Sequence, residues 1–442
     1  MFLFLVLMQG RDSSAEFNLD PQSVRSTAKG GKFGSAEIGF GESYQLDTTL
    51  ATKEVLKAAL GAEHGPAPEF AVLVISEDLD VSKIYQDITA ALGPTTRVFG
   101  GGTTVVRESE PDDTPSPVPT ISLLTVRSEK IRFGVGSASH TAHGGPRQAA
   151  QAAARQALAT AGKEASEPPR AILASLAGPK PQDALAGIED IVGKNVPILG
   201  GSVHKETAVF GGSVLHGPAV AVAFLYTSLP VGWVFEAGYD TTLPQSGVIT
   251  ELRGSELVAI DGRPAWQVYD EWLDGRLEKL AERGQAALWE ILDVLALNPI
   301  YQRVETADGQ VRFVFTHPTV FDNKVADRRI YVGTPLQVGD RIHLSHGTWE
   351  LLLNRIGTLP RTAKVRGGFG VDTRPILGFG HICAGVMSVV PKQEKPKVPH
   401  LLNYAMEGTP AAYMFTIGEQ GFYPGIGNKH ANLSTSFLVI GE

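Results

Sequence analysis

The stretch 70–102 reads FAVLVISEDLDVSKIYQDITAALGPTTRVFGGG and decides how the first half of the chain folds. Its first six residues are all apolar, which is typical of a strand that is covered on both faces. Ile84, Ile88 and Leu92 then recur at helical spacing, and residues 97–99 form a short strand that runs into glycines. This order of strand, helix and strand predicts a βαβ unit of an α/β fold.

The same order of elements recurs further along the chain, with Gly100 matched by Gly200 and Ile88 by Ile188. The second occurrence contains a helix opened by Pro146 and closed by Gly162, strands at 171–175, 196–199 and 220–225, and a helix at 185–192. Because these features agree at one offset, we predict two copies of one unit, 33–130 and 131–230, which pack as a pseudo-symmetric pair.

The length of 442 residues is too great for a single core, so we expect a mixed α/β protein of two domains. The first domain (33–230) carries the two helix-strand-helix-strand copies, and the second (231–442) is a mixed sheet with flanking helices. Residues 1–32 are predicted to be a poorly ordered extension. Their apolar start is too short to span a bilayer and no basic residue precedes it, and a processed targeting segment is the alternative.

Composition excludes several classes of function. The net charge of −8 and the pI near 5.8 argue against a nucleic-acid-binding surface. The single cysteine, Cys383, excludes a disulfide within the chain and any zinc site that needs two thiolates. We therefore expect a cytoplasmic protein with no resident metal and no membrane span, and the oligomeric state stays open.

The second half begins with an Asp-Gly turn at 261–262, a helix at 265–273 and, later, a short helix at 349–356. It ends with another βαβ-like order: a strand at 376–383, the tripeptide Cys-Ala-Gly, a helix within 395–406 and a strand at 411–417. Such an order brings the ends of the two strands together at one edge of a sheet, where open α/β sheets bind ligands. We therefore expect Cys383 and Glu419 to be neighbours.

The glycine runs at 100–102 and 200–201 have neither the Walker spacing nor the context of a dinucleotide-binding turn. Three interpretations stay open for them. They allow close packing between the two copies, they line a ligand cleft with backbone amides, or they bind a phosphate group.

The closing stretch places a carboxylate, Glu419, between Gly418 and Gly421, and it returns through His430 and Asn432 into a last apolar strand. The simplest interpretation is a hairpin with an ordinary Glu in its turn. The alternative is a site for a small polar group at the end of a sheet.

Cys383 likewise has three interpretations. It is a small buried hydrophobe, a residue that lines a ligand site, or a catalytic thiol that acts with His381, which alternates with it along the same strand.

Several phrases of the chain resemble the FIST N domain in the first half and the FIST C domain in the second, over about residues 33–440. They are FGSA at 33–36, ILGG at 198–201, AIDGRPAWQVYDEWL at 259–273, CAG at 383–385, FTIGE at 415–419 and NLS at 432–434. Two positions depart from the family's pattern. Val386 stands where the family often has Arg after Cys-Ala-Gly, and residues 202–204 (SVH) stand where it often has small and acidic residues.

The resemblance implies a non-catalytic sensory module of signal transduction whose ligand is an amino acid or a similar small polar metabolite, with a signalling protein as partner and no cofactor. Some bacterial members are similar but bind haem and sense nitric oxide, so a haem sensor is an alternative, with His204, His381 and His430 as candidate ligands. An enzyme that uses Glu419 as general acid or base is another, and a scaffold without a ligand is the last. The expected ligand-binding residues are Gly200, Gly201, Cys383, Gly385, Thr416, Gly418, Glu419, His430, Asn432 and Ser434.

Overall fold

The computed structural model describes residues 28–61, 66–104, 116, 118–204, 207–320 and 325–442. Most of the predicted extension 1–32 lies outside these residues. Its last described part, 28–32, leads into a first short strand.

The helices and strands of the described residues form a mixed α/β protein, which confirms the predicted fold class. The helices are α1 (Thr48–Leu60), α2 (Val81–Leu92), α3 (His140–His143), α4 (Pro146–Ala161), α5 (Pro181–Val192), α6 (Ala265–Trp272), α7 (Arg276–Ala281), α8 (Leu288–Leu297), α9 (Trp349–Arg366), α10 (Ala384–Ser388) and α11 (Lys397–Ala405). Short 3-10 turns lie at Gly284–Ala287, Val325–Asp327 and Lys392–Glu394.

The strands are β1 (Gly31–Phe33), β2 (Ala36–Ser43), β3 (Phe70–Ser76), β4 (Arg97–Thr103), β5 (Ile121–Arg127), β6 (Ile131–Ser139), β7 (Ala171–Ala177), β8 (Ile198–Val203), β9 (Ala208–Gly211), β10 (Val214–His216), β11 (Ala219–Thr227), β12 (Val231–Glu236), β13 (Ser246–Arg253), β14 (Glu256–Ile260), β15 (Arg263–Pro264), β16 (Ile300–Glu305), β17 (Val311–Thr316), β18 (Pro318–Thr319), β19 (Ile330–Val332), β20 (Arg341–Leu344), β21 (Pro375–Cys383), β22 (Ala411–Thr416), β23 (Glu419–Tyr423), β24 (Gly427–Ala431) and β25 (Thr435–Gly441).

Local sequence explains where the helices of the first half begin. The Asp47 side chain accepts a hydrogen bond from the N–H of Leu50 at the start of α1, and Asp80 does the same for Lys83 at the start of α2. Pro146 opens α4 at a position where no helical N–H donor is needed.

Three sheets share one connectivity. In the first, the strand order is β2-β5-β3-β4, in the second β6-β11-β7-β8, and in the third β12-β25-β21-β22. The last two strands of each run are parallel and joined through a helix, and the other neighbours are antiparallel. The four strands of the first run lie within 33–130 and those of the second within 131–230, the two segments that the sequence analysis expects to be copies. The third sheet, in the second half of the chain, has the same strand order. The predicted repeat covers only the first half.

Hairpins connect one sheet to the next. The β9–β10 hairpin follows β8 but pairs with β4 of the first sheet, and the β23–β24 hairpin follows β22 but pairs with β8 of the second sheet. The predicted division at residue 230 therefore lies between sheets, yet a hairpin from beyond it completes the second sheet.

The three sheets bury one common core. Phe70 of the first sheet stacks on Phe133 of the second with ring centroids 3.8 Å apart, and Phe133 meets the edge of Phe379 of the third at 6.0 Å. The helices cover the outer faces of the sheets, where separate apolar clusters form beneath them.

A fourth sheet, in the order β17-β16-β20-β13-β14-β19-β18, is inserted between β12 and α9. It has its own core around Tyr269 and Ile291. The insert therefore separates β12 from the rest of the third sheet in sequence but not in space, because β12 still pairs with β25.

One predicted boundary is wrong. The helix predicted at 349–356 continues to Arg366, past Gly357 and Pro360. Its buried side chains Leu359 and Ala363 continue the apolar face that packs on β12 and β25, and this packing stabilises the helix beyond the residues that usually end one.

Candidate functional site

The candidate site lies where the parallel strands of the third sheet end. Cys383 is the last residue of β21 and pairs with Thr416, the last residue of β22. The chain then turns at Gly418, whose φ of 89° is favourable for glycine, and Glu419 starts β23. Thiol, hydroxyl and carboxyl groups therefore meet at one sheet edge, and the predicted proximity of Cys383 and Glu419 is observed.

Glu419 is fully buried, and four donors hydrogen-bond its carboxyl group, one of which is the backbone N–H of Gly418. Its Oε1 accepts a hydrogen bond from Thr416 Oγ1 at 2.9 Å, and its Oε2 accepts one from the backbone N–H of Ser434 at 3.1 Å. The thiol of Cys383 hydrogen-bonds the same carboxyl group. Burial nevertheless raises the pKa of Glu419 to about 8, because these neutral donors offset only part of the loss of hydration.

Cys383 lies among backbone amides. The N–H groups of Gly385, Leu433 and Gly418 all point to its sulfur, and Leu433 takes a left-handed φ of 52° to do so. Burial and, after it, the Glu419 carboxylate raise the pKa of the thiol. The thiol form is therefore favoured, and this disfavours the catalytic-thiol interpretation.

Two buried side chains next to Glu419 along β23 or at the end of β24 carry polar atoms that have no partner among the described residues. The side chains of Asn432 and Gln420 are both more than nine-tenths buried. Nevertheless, Asn432 Oδ1 and Gln420 Oε1 have no hydrogen-bond partner among the described residues. Gln420 uses its other amide atom, Nε2, to contact Ser202 Oγ and His430 Nδ1, each at 3.0 Å. Buried polar atoms are normally satisfied, so this cluster has hydrogen-bonding capacity left over.

The insert forms the solvent side of the cluster. His317 follows β17 and lies beside Gly385, and the residue is half-buried with its Nε2 closed off and without a partner among the described residues. Gly333 is exposed and lies against Asn432, since a methyl group there would come within 2.9 Å of Oδ1. We call His317, Gly333 and Gly385 the mouth of the site.

The remaining predicted site residues lie in the same region. Gly201 and Gly200 of β8 pair with Glu419 and Gln420, and a methyl group on Gly201 would collide with Thr416. These two glycines therefore permit close packing behind the site.

His430 packs its ring against Gly418, and burial lowers its pKa to about 4. Ser434 contributes its backbone N–H to Glu419, while its hydroxyl donates to the Asn432 carbonyl.

Sequence reasoning missed the contribution of the insert and one neighbour of Glu419. His317 and Gly333 carry no motif that would mark them, because only tertiary packing brings the insert over the third sheet. Gln420 follows Glu419 directly and is not among the predicted residues. The Nδ1 of His381, the candidate partner of Cys383, contacts Ser436 Oγ at 3.3 Å instead.

The described residues contain no group of three or more His, Cys, Asp and Glu side chains arranged to hold a metal ion. In the same part of the chain, no helix has the length and apolar character needed to cross a membrane.

The second sheet contains the same arrangement with apolar side chains. Its parallel ladder ends in the pair Ala177 and Val203, where the third sheet has Cys383 and Thr416. The hairpins that follow the two ladders also correspond. Val209 pairs with Gly101 of the first sheet, and Glu419 pairs with Gly201 of the second sheet. Ala177, Val203 and Val209 are all buried in the common core.

Fold and site together define a mixed α/β protein in which three sheets of like connectivity surround one core and the third has a buried carboxyl group at its strand ends. A family model described as the FIST N domain matches residues 37–263, just over half of the chain. The chain belongs to the FIST N domain family.

The comparison with solved structures found distant likenesses. A cyanuric acid hydrolase from A. caulinodans is 10% identical with a TM-score of 0.33, over 92% of this chain and 98% of that one. A second cyanuric acid hydrolase structure is 9% identical with a TM-score of 0.31, over 92% of this chain and 99% of that one. PurLQS from Thermotoga maritima is 12% identical with a TM-score of 0.21, over 94% of this chain and 74% of that one. The search of curated proteins found no match.

Proposed function

We propose that the protein is a non-catalytic small-ligand-binding sensory module, and that its ligand binds at the cluster formed by Cys383, Thr416, Glu419 and Asn432. In this proposal residues 33–230 form the FIST N domain and residues 231–442 form a FIST C domain with its inserted sheet. The resemblance to FIST proteins supports an amino acid or a similar small polar metabolite as ligand, and a signalling protein as partner.

The apolar counterpart in the second sheet carries this proposal. Ala177, Val203 and Val209 occupy the strand-end positions that Cys383, Thr416 and Glu419 occupy in the third sheet. The connectivity therefore forms without any polar side chain at these positions. A buried carboxyl group is destabilising by several kcal/mol unless it is well compensated, so its presence in only one of the two places points to a role in function.

The shared connectivity also supports the proposed internal repeat and extends it. We propose that the first two sheets and the third are three copies of one unit, with the third copy split by the insert. The site then belongs to the third copy.

The unpartnered atoms around the pair support a ligand rather than a purely structural cluster. Asn432 Oδ1 and Gln420 Oε1 have no donor, and the mouth formed by His317, Gly333 and Gly385 lies on the solvent side. A small molecule at this place would satisfy polar groups that the protein leaves unsatisfied.

The test is mass spectrometry of small molecules that copurify with the native protein, followed by thermal-shift measurements with the molecules found. A bound ligand raises the melting temperature by an amount set by its concentration relative to its Kd. Glu419→Gln should abolish the copurified signal. Glu290→Gln makes the same chemical change at an exposed ion pair with Arg283 and should leave it intact.

Two results would contradict the proposal. One is a metabolite that copurifies equally with wild type and Glu419→Gln. The other is the absence of any stabilising molecule in a screen of amino acids and related polar metabolites. Absorbance of copurified haem would instead favour the haem-sensor alternative.

A further inference from the structure

Glu419 is a buried acid that has no cationic partner in the part of the chain that the structure describes. Among the described residues, no lysine or arginine forms an ion pair with it. The titratable groups that face it are Cys383 of β21 and Tyr239, which precedes the insert, with His430 of β24 and His317 of the insert close by. Burial lowers the pKa of both histidines to about 4, so they are neutral near pH 7.

The hydrogen bonds of Glu419 are those of a carboxylate. Ser434 N–H can only donate, and it donates to Oε2, while Oε1 is within hydrogen-bond distance of Thr416 Oγ1. Oε2 is therefore placed as an acceptor, and Oε1 lies beside a hydroxyl that can donate to it. These donors stabilise the charged form of Glu419, although the described side chains supply no positive charge beside it.

The neighbouring unpartnered atoms are acceptors as well. Asn432 Oδ1 and Gln420 Oε1 each lack a donor. Asn432 also borders the mouth, because its amide lies against both the exposed Gly333 and the turn residue Gly418. On the side of the mouth, Asn432 Oδ1 is therefore an acceptor that no described residue supplies with a donor.

We infer that the ligand presents a compact organic cation with N–H donors, such as a primary ammonium, amidinium or guanidinium group, which passes the mouth, donates to Asn432 Oδ1 and pairs with Glu419. This inference rests on the proposed function and names the chemical class of the ligand's recognised group. A cation with several N–H donors matches a carboxylate and adjacent carbonyl oxygens in both charge and hydrogen bonding. Tyr239 and Cys383 stay neutral in this account.

Binding of the cation is linked to a proton. When Glu419 starts as the neutral acid, the carboxyl O–H bond breaks as the cation enters, the carboxylate keeps the electron pair, and the proton passes to the buffer. Up to about one proton is then released for each ligand bound below the pKa of the free site, and none well above it. Affinity should therefore rise as pH increases from 6 to 8.

The experiment measures melting temperature with small probes at equal ionic strength. Acetamidinium, guanidinium and methylammonium are the cations with donors, and acetamide is the neutral isostere of acetamidinium. Tetramethylammonium is a cation without donors, and acetate is the anion. We expect the first three to raise the melting temperature of wild type and the others not to do so. Glu419→Gln should remove the effect, and Glu290→Gln should retain it.

Proton release is measured for any stabilising cation by titration calorimetry at pH 6.5 in two buffers of different ionisation enthalpy. Release of about one proton that disappears in Glu419→Gln supports the inference. Stabilisation by acetamide or acetate equal to that by acetamidinium overturns it, as does cation binding that survives in Glu419→Gln, or no effect of any cation. A metabolite that copurifies in a Glu419-dependent way but carries no N–H cation also overturns the inference, while the proposed function stands.

Discussion

At the scale of single residues, Glu419 is the group whose state decides what the site can bind. Its carboxyl group is fully buried, receives hydrogen bonds from neutral donors and has no cationic partner among the described residues. Its pKa is therefore raised, which makes its protonation state change near neutral pH. This property links stability, pH and ligand binding at one side chain.

The first prediction concerns the pH dependence of stability. The pKa of Glu419 is about 8 in the folded protein against an ordinary value of 4.5, so folding favours the protonated form between these values. The free energy of unfolding of wild type should fall relative to that of Glu419→Gln as pH rises from about 5 to 8. The total change is on the order of 4 kcal/mol.

The free energies of unfolding of wild type and Glu419→Gln are measured by denaturant unfolding across this pH range. The difference between them isolates Glu419 from the buried histidines, which contribute with the opposite sign. A constant difference from pH 5 to 8 would show that the pKa of Glu419 is not raised.

The second prediction concerns the mouth. Gly333 has an ordinary backbone conformation, and a methyl group there would lie 2.9 Å from Asn432 Oδ1. Gly333→Ala should therefore raise the Kd of the ligand at least tenfold. The free energy of unfolding of the ligand-free protein should fall by only about 1 kcal/mol. Gly370→Ala, on an open surface, is the matched control and should leave both quantities unchanged. Unaltered binding in Gly333→Ala would place the ligand's entry elsewhere.

At the scale of elements, the β23–β24 hairpin carries Glu419 into the site by pairing with the second sheet. Asn428 holds this hairpin in place. Its Oδ1 accepts from the Ile198 N–H at 2.8 Å, and its Nδ2 donates to the Val196 carbonyl at 3.1 Å and to Glu189 Oε1 at 2.9 Å. One buried side chain therefore joins the hairpin to the start of β8 and to α5.

The third prediction tests this connection. Asn428→Ala leaves the Ile198 N–H and the Val196 carbonyl without side-chain partners, so it should lower the free energy of unfolding by about 2–4 kcal/mol. Faster amide hydrogen exchange at Ile198 should accompany the loss. The adjacent Lys429→Ala is the control. A change below 0.5 kcal/mol in Asn428→Ala, an outcome on the scale of an ordinary surface substitution, would contradict the assigned role.

The sequence predicts those parts of this organisation that depend on local patterns. Apolar runs and helical spacing predict β3, α2 and their counterparts, and the strand order in the second half places Cys383 near Glu419. The pairing of Glu419 with Gly201 could not be predicted, because it joins segments far apart in sequence through a hairpin that crosses between sheets. The continuation of α9 past Pro360 also depends on tertiary packing rather than on local propensity.

At the scale of the whole molecule, three sheets of like connectivity surround a common core, and Phe70, Phe133 and Phe379 meet within it. Corresponding strand ends can therefore be compared within one chain. The second sheet closes its strand ends with Ala177, Val203 and Val209, whereas the third uses polar groups. The insert lies over the polar version and adds His317 and Gly333 to it.

The most direct test of the central claim, that the polar cluster serves function rather than folding, transfers the apolar residues of the second sheet into the third. The variant Cys383→Ala, Thr416→Val, Glu419→Val is compared with wild type by denaturant unfolding at pH 8. We predict a cooperative transition with a free energy of unfolding within about 1 kcal/mol of wild type or above it. Removal of the buried carboxylate offsets the loss of an acceptor by the Ser434 N–H and by the N–H groups of Gly385, Leu433 and Gly418, whose acceptor in wild type is the weakly accepting sulfur of Cys383. A protein that fails to fold, or that loses more than about 3 kcal/mol, would contradict the claim and assign the cluster a structural role.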